Sequence, residues 1–188
     1  MNPVPRDALP AIVVMGVCGC GKSSIAEALA ELFGAAFIEG DALHPPASIA
    51  KMARGEPLDD EDRKPWLETI CRSIVENRAA GRGVVVSCSA LRRAYREHLR
   101  TAGPLQFVFL SGSTTVLAER MSRREGHFMP LSLLHSQLAT LEDPTGEADV
   151  VTVDIDRPLA DVVAGAGEAL RRAQAVRPEI DLSMADER

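Results

Sequence analysis

Aromatic residues are scarce: one tryptophan, one tyrosine and five phenylalanines among 188 residues. Proteins that grip single-stranded nucleic acid interleave aromatic platforms with basic residues, so this scarcity argues against that partner. Positive charge is short as well. The 21 Lys and Arg stand against 27 Asp and Glu, leaving −6 at pH 7, whereas a duplex binder would be basic. Long apolar runs are missing. The longest, Ala11–Cys18 and Leu105–Leu110, fall far below the roughly 20 residues that cross a bilayer, so no membrane partner is expected. The opening MNPVPRDALP lacks the apolar centre of a secretory signal. The four cysteines, Cys18, Cys20, Cys71 and Cys88, are spaced like neither a zinc site nor a disulfide framework. A reduced, cytoplasmic protein is the expectation.

What is present is an ordinary globular composition, 46% apolar and 26% charged, in a chain long enough for one self-sufficient core. Short apolar runs at Ala11–Met15, Ala35–Ile38, Gly83–Val86, Leu105–Leu110 and Val150–Ile155 read as strands. Helical spacing fills the gaps at Lys22–Phe33, Pro65–Ala79, Leu91–Arg100, Ser113–Arg124, Leu131–Leu141 and Pro158–Arg172. Strands alternating with helices predict an α/β sandwich, a parallel sheet covered on both faces. We expect a single domain over 1–173, with an excursion beside the sheet over about 42–64 and a flexible tail over 174–188.

Gly16-Val17-Cys18-Gly19-Cys20-Gly21-Lys22-Ser23 fits G-x-x-x-x-G-K-[ST] at every fixed position, between a predicted strand and a predicted helix. Glycines let successive N–H groups turn inward as an anion nest, and the helix start adds its positive dipole end. Lys22 neutralises the β and γ oxygens of ATP, and the Ser23 hydroxyl suits Mg²⁺. Ser24 lies in the same first turn. Cys18 and Cys20 read as small side chains tolerated where backbone does the binding; the alternative is a thiolate activated by Lys22 and the helix end.

Phe37-Ile38-Glu39-Gly40-Asp41 closes the second strand. Residues two apart in a strand share a face, so Glu39 and Asp41 are expected on one side at the carboxyl edge, where open parallel sheets bind ligands. Asp41 is assigned to the attacking hydroxyl and Glu39 to the outer shell of Mg²⁺. A solvated loop pair or a helix cap is the alternative.

Together with GVCGCGKS, the blocks FIEGDALHPPASIAKMARGEPLDDEDRKPW, VVVSCSALRRAYRE and REGHFMPLSLLHSQLATLEDP resemble the gluconate kinases of the small P-loop type, near shikimate kinase. The resemblance covers roughly 12–172. It implies five parallel strands in the order 2-3-1-4-5, a helical lid at about 121–136, and transfer of the ATP γ-phosphoryl to D-gluconate. Homodimers are common in such families. Family members often carry serines where Cys18 and Cys20 stand, and aspartate where Glu39 stands.

Gluconate carries a carboxylate and five hydroxyls, which calls for a guanidinium and a set of polar groups. Arg54, Arg63, Arg92 and Arg93 are candidates. Arg63 comes first because its place resembles the carboxylate-binding arginine of shikimate kinase; the alternative is that Arg63 and Lys64 neutralise Asp59–Asp62. His44 is a candidate for a substrate hydroxyl or a packing residue. Ser89 is expected to cap the next helix and, with Arg92, to touch substrate. Arg120 and Arg124 share a helical face and are expected to close over the phosphates, with His127 and Gln137 reaching substrate or holding the lid shut. Arginines at a helix end would also be at home in a purely structural role. The rival readings are a sister kinase for shikimate, a nucleoside monophosphate or another sugar acid, and a nucleotide-dependent switch without turnover.

Overall fold

The computed structural model describes residues 11–122 and 131–176. Five strands, β1 (Ala11–Met15), β2 (Ala36–Glu39), β3 (Val84–Ser87), β4 (Leu105–Ser111) and β5 (Val150–Asp154), form one parallel sheet in the order β2-β3-β1-β4-β5. Each lies within a residue or two of its expected bounds, because each is an apolar run with little competing helical period. Seven α-helices accompany them among the described residues: α1 (Lys22–Phe33), α2 (Pro46–Ala53), α3 (Asp60–Ala79), α4 (Arg93–Arg100), α5 (Thr114–Ser122), α6 (Leu131–Thr140) and α7 (Leu159–Val176).

The strand pleat divides the core in two. Ile12 and Val14 point into one cluster with Ile25, Leu29, Leu117, Leu134, Val162 and Leu170. Ala11, Val13 and Met15 point into the other with Trp66, Ile70, Ile74, Tyr95 and Leu99. Helices α1, α5, α6 and α7 therefore cover one face and α3 and α4 the other, which is a three-layer α/β/α sandwich.

Three boundaries differ from expectation. Helix α3 begins five residues before Pro65, because Asp59 and Asp62 form a reciprocal capping box. The acidic run is thus a helix start, and Lys51 of α2 bridges to both Asp59 and Asp62. Helix α4 begins at Arg93, and Ser89 does not cap it. The chain turns first through Ala90, whose φ of 43° is left-handed, and Arg92 takes the N-cap position. The Arg93 N–H is satisfied by the Glu142 carboxylate at 2.6 Å instead. Helix α7 runs on to Val176, past its expected end at Arg172.

Candidate active site

The order β2-β3-β1 sets three strand ends side by side, and the candidate residues sit on them. From β1 the chain enters the phosphate loop. Gly19 and Gly21 have φ of 80° and 90°, which a side chain would strain. A Cβ at Gly19 would also meet Met121 Cγ at 2.8 Å and the Leu117 carbonyl at 3.0 Å, so α5 lies directly against the loop. The loop is tied to the end of β3 by Gly16 N–H donating to Ser89 O at 3.3 Å. Lys22 Nζ donates to Val17 O at 3.0 Å, folding the ammonium back over the loop. Ser23 is half-buried and Ser24 exposed in the first turn of α1.

Burial raises the thiols of both Cys18 and Cys20 above the ordinary value, outweighing the pull of Lys22. Cys20 is wholly buried. Both side chains belong to the buried core cluster with Ile25 and Leu29.

At the end of β2, the strand stops at Glu39 and a 3₁₀ turn, Gly40–Leu43, begins. Strand alternation therefore does not relate Glu39 to Asp41, contrary to expectation. The turn brings Asp41 to the carboxyl edge by another route. Glu39 is half-buried and accepts a hydrogen bond from the Ser87 hydroxyl, its register partner on β3. The Ser87 hydroxyl accepts in turn from Gly40 N–H at 3.1 Å. Asp41 is exposed, and its carboxylate has no hydrogen-bond or ion-pair partner among the described residues.

His44, 9% exposed, stacks on Trp66 with ring centroids 4.3 Å apart and planes 12° from parallel. Its Nδ1 is buried without a partner among the described residues. Burial lowers its pKa from the ordinary 6.5; Asp41 opposes that shift and Arg63 adds to it. The lowered pKa favours the neutral ring, in which one nitrogen donates and the other accepts, with Nδ1 enclosed.

The candidate arginines separate sharply. Arg54 is exposed and closed onto Glu56 at 2.7 and 3.2 Å. Arg92 holds both oxygens of Asp60 at 2.9 Å, while Tyr95 Oη donates to the same carboxylate. Arg93 is exposed and reaches Glu97. Arg96 is 1% exposed and donates to Glu147 and to the carbonyls of Ala90, Leu91 and Glu142. Arg63 is half-buried over the Tyr95 ring, 5.7 Å from its centroid, and has no carboxylate partner among the described residues. A carboxylate ligand would therefore find Arg63 available and Arg92 already engaged.

Arg120 donates to Ile155 O at 2.6 Å and lies 3.8 Å from where a Cβ on Gly21 would stand, which sets its charge beside the start of α1. Gln137 accepts from Cys18 N–H at 2.7 Å. It thus ties α6 to the phosphate loop. Arg124 and His127 lie outside the described residues.

The family profile described as an AAA domain matches residues 12–144. A gluconokinase from Gluconobacter oxydans is 54% identical over 143 residues, covering 76% of this chain and 80% of its own. The chain belongs to the gluconokinase family. The thermoresistant gluconokinase of Escherichia coli is 43% identical over 164 residues, 86% of this chain and 94% of its own. The crystal structure of a gluconokinase from Sinorhizobium meliloti superposes with a TM-score of 0.83 at 55% identity, covering 89% of this chain and 95% of that one. Shikimate kinase from Aquifex aeolicus shares the fold alone, with a TM-score of 0.59 at 17% identity over 89% of this chain and 99% of that one.

Two features of this gluconokinase-family site escaped the sequence reading. One is Trp66, whose indole N–H donates to Gly40 O at 2.7 Å. Its status as the chain's sole tryptophan, inside the block ending Lys64-Pro65-Trp66, was the available signal. The other is the Glu39–Ser87–Gly40 chain of hydrogen bonds, which no spacing rule predicts because its members are 48 residues apart.

Proposed function

We propose that this chain transfers the γ-phosphoryl of ATP to the 6-hydroxyl of D-gluconate. The carrying observation is that the carboxyl edge of the sheet holds the phosphate loop and Asp41, with Arg63 nearby, and that neither Asp41 nor Arg63 has an ion-pair partner among the described residues. The loop N–H groups and Lys22 hold the triphosphate, and Arg120 adds charge beside it. Arg63 takes the gluconate carboxylate as a bidentate pair, and His44 hydrogen-bonds the polyol. Asp41 accepts the proton of the 6-hydroxyl as its oxygen attacks the γ-phosphorus. The bond to the β–γ bridging oxygen breaks, giving 6-phospho-D-gluconate and ADP.

The Ser23 hydroxyl and the Glu39 carboxylate are the hard oxygen donors that fit Mg²⁺ here, Glu39 being held in place by Ser87. When bound, the ion neutralises phosphate charge. Among the described residues no cluster of three or more His, Cys, Asp or Glu forms a dedicated metal cage, which suits an ion that arrives with ATP. We place the enzyme in the cytoplasm as a homodimer. The four unpaired cysteines support the first assignment, and family resemblance supports the second.

The test is ADP release with gluconate against gluconate epimers, shikimate and AMP. Turnover is expected with gluconate, and Asp41→Asn should retain ATP binding while losing about 100-fold or more in kcat. Turnover confined to shikimate or AMP would refute the substrate, and wild-type kcat in Asp41→Asn would remove Asp41 from the chemistry.

A further inference from the structure

Gly40 is gripped on both sides. Its carbonyl, which belongs to the peptide leading into Asp41, accepts from Trp66 Nε1 at 2.7 Å, and its N–H, in the preceding peptide, donates to Ser87 Oγ at 3.1 Å. The same indole presents its face to His44, whose backbone N–H closes the turn onto Asp41 O at 3.4 Å. Trp66 is 1% exposed and anchored in the core among the residues of β1, β3, α3 and α4. A single rigid ring thus ties the turn carrying Asp41 and the imidazole beside it to the α3 layer, while the Asp41 side chain itself stays unrestrained.

We infer that Trp66 is a positioning residue for phosphoryl transfer: its indole N–H fixes the peptide that aims Asp41, and its face fixes His44 against the substrate. The inference rests on the reading of Asp41 as proton acceptor given above. A hydroxyl-bearing substrate needs near-attack geometry, and small displacements of the accepting group are expensive in rate. An indole hydrogen bond inside the core is a stiffer restraint than any contact from solvent could supply.

Trp66→Phe retains a ring to stack on His44 and removes the donor. Its kcat should fall about tenfold, with KM for ATP unchanged. In an Asp41→Asn background the same change should cost nothing further, because the group being aimed is gone. A core residue that merely supports the fold would lower both backgrounds alike. An unreduced kcat in Trp66→Phe, or an equal loss in the two backgrounds, overturns the inference. Asp41→Asn alone separates a failure of the underlying mechanism from a failure of this one. Because the chain has one tryptophan, the unmodified enzyme supplies a second readout even where Trp66→Phe fails to fold. Gluconate added to the wild-type enzyme should change its tryptophan emission, and Asp41→Asn should keep that response. Emission indifferent to saturating gluconate in the wild-type enzyme also overturns it.

Discussion

Gly40→Ala is the sharpest single-atom perturbation of the site. A Cβ at Gly40 would stand 3.2 Å from the Ser87 carbonyl carbon and 3.6 Å from Cys88 Cα, with the Ser87 carbonyl oxygen directed at it. The obstacle is backbone of β3, so no side-chain rotation relieves it. The two strand ends must part by roughly 1 Å to restore an ordinary contact. Overpacking of this kind costs about 1–3 kcal/mol, and losing the Gly40 N–H bond to Ser87 Oγ adds about 1 kcal/mol. The sum, about 2–4 kcal/mol, corresponds to a fall in Tm of about 4–16 °C for a domain of this size. Because the displaced peptide immediately precedes Asp41, a shift of about 1 Å should also cost about 100-fold in kcat. ATP binding should survive, since β1 and α1 carry the phosphate loop. Thermal melting by circular dichroism and ADP-release kinetics measure both effects. An alanine variant with an unshifted Tm and full turnover would refute the claim that strand contact at Gly40 sets the position of Asp41.

Arg63→Lys keeps the charge and loses the planar fork, so KM for gluconate should rise about tenfold or more while KM for ATP stays constant; an unchanged gluconate KM would transfer the carboxylate to another cation. Arg96→Ala strips Glu147 of one of its two arginine partners and leaves the carbonyls of Ala90, Leu91 and Glu142 without their guanidinium donor, and should cost about 3–5 kcal/mol, read from urea unfolding. The same variant tests a pH effect. Burial pushes the Glu147 carboxyl up, but hydrogen bonds from Arg96 and Arg100 outweigh it and hold the pKa below the usual 4.5. A carboxylate lowered on folding adds stability that is full above about 4.5 and is lost as pH falls through the folded value. Wild-type Tm should therefore drop on acidification below that point, and Arg96→Ala should show a shallower drop; parallel acid limbs would exclude this pair as the cause.

The strands and the phosphate loop were legible because each follows from local pattern, whereas the strand order was legible only through the family resemblance. Ala11–Met15 is an apolar run with glycines behind it, and Gly16–Ser23 fixes its own backbone course. What could not be read was which charges find each other. Arg92 pairs with Asp60 across 32 residues, and Arg96 with Glu147 across 51, and no local spacing rule announces either pair. Ser89 had the residue type of a helix cap but the wrong geometry, because the left-handed turn at Ala90 postpones α4 until Arg93. Glu39 and Asp41 reached the same edge for a reason other than strand alternation. Gln137 was read as reaching substrate or holding the lid shut; its hydrogen bond from Cys18 N–H could not be read, since nothing in its spacing measured the distance between α6 and the loop.

The availability of Arg63 follows from how the acidic run before it is consumed. On an isolated helix, Asp59 and Asp60 would lie four and three residues before Arg63 and pair with it. Asp59 instead caps α3 through Asp62 N–H, and both Asp59 and Asp62 are bridged by Lys51 from α2. Asp60 is turned toward α4, where Arg92 and Tyr95 share it. Every carboxylate that could have quenched Arg63 locally is thereby committed to holding α2, α3 and α4 together. The guanidinium is left against the Tyr95 ring, where its attraction to the π face leaves its N–H donors for a ligand. On the proposed assignment of Arg63, the capping box and the cross-helix pairs serve substrate recognition as well as the fold, because they leave that arginine without a carboxylate partner among the described residues.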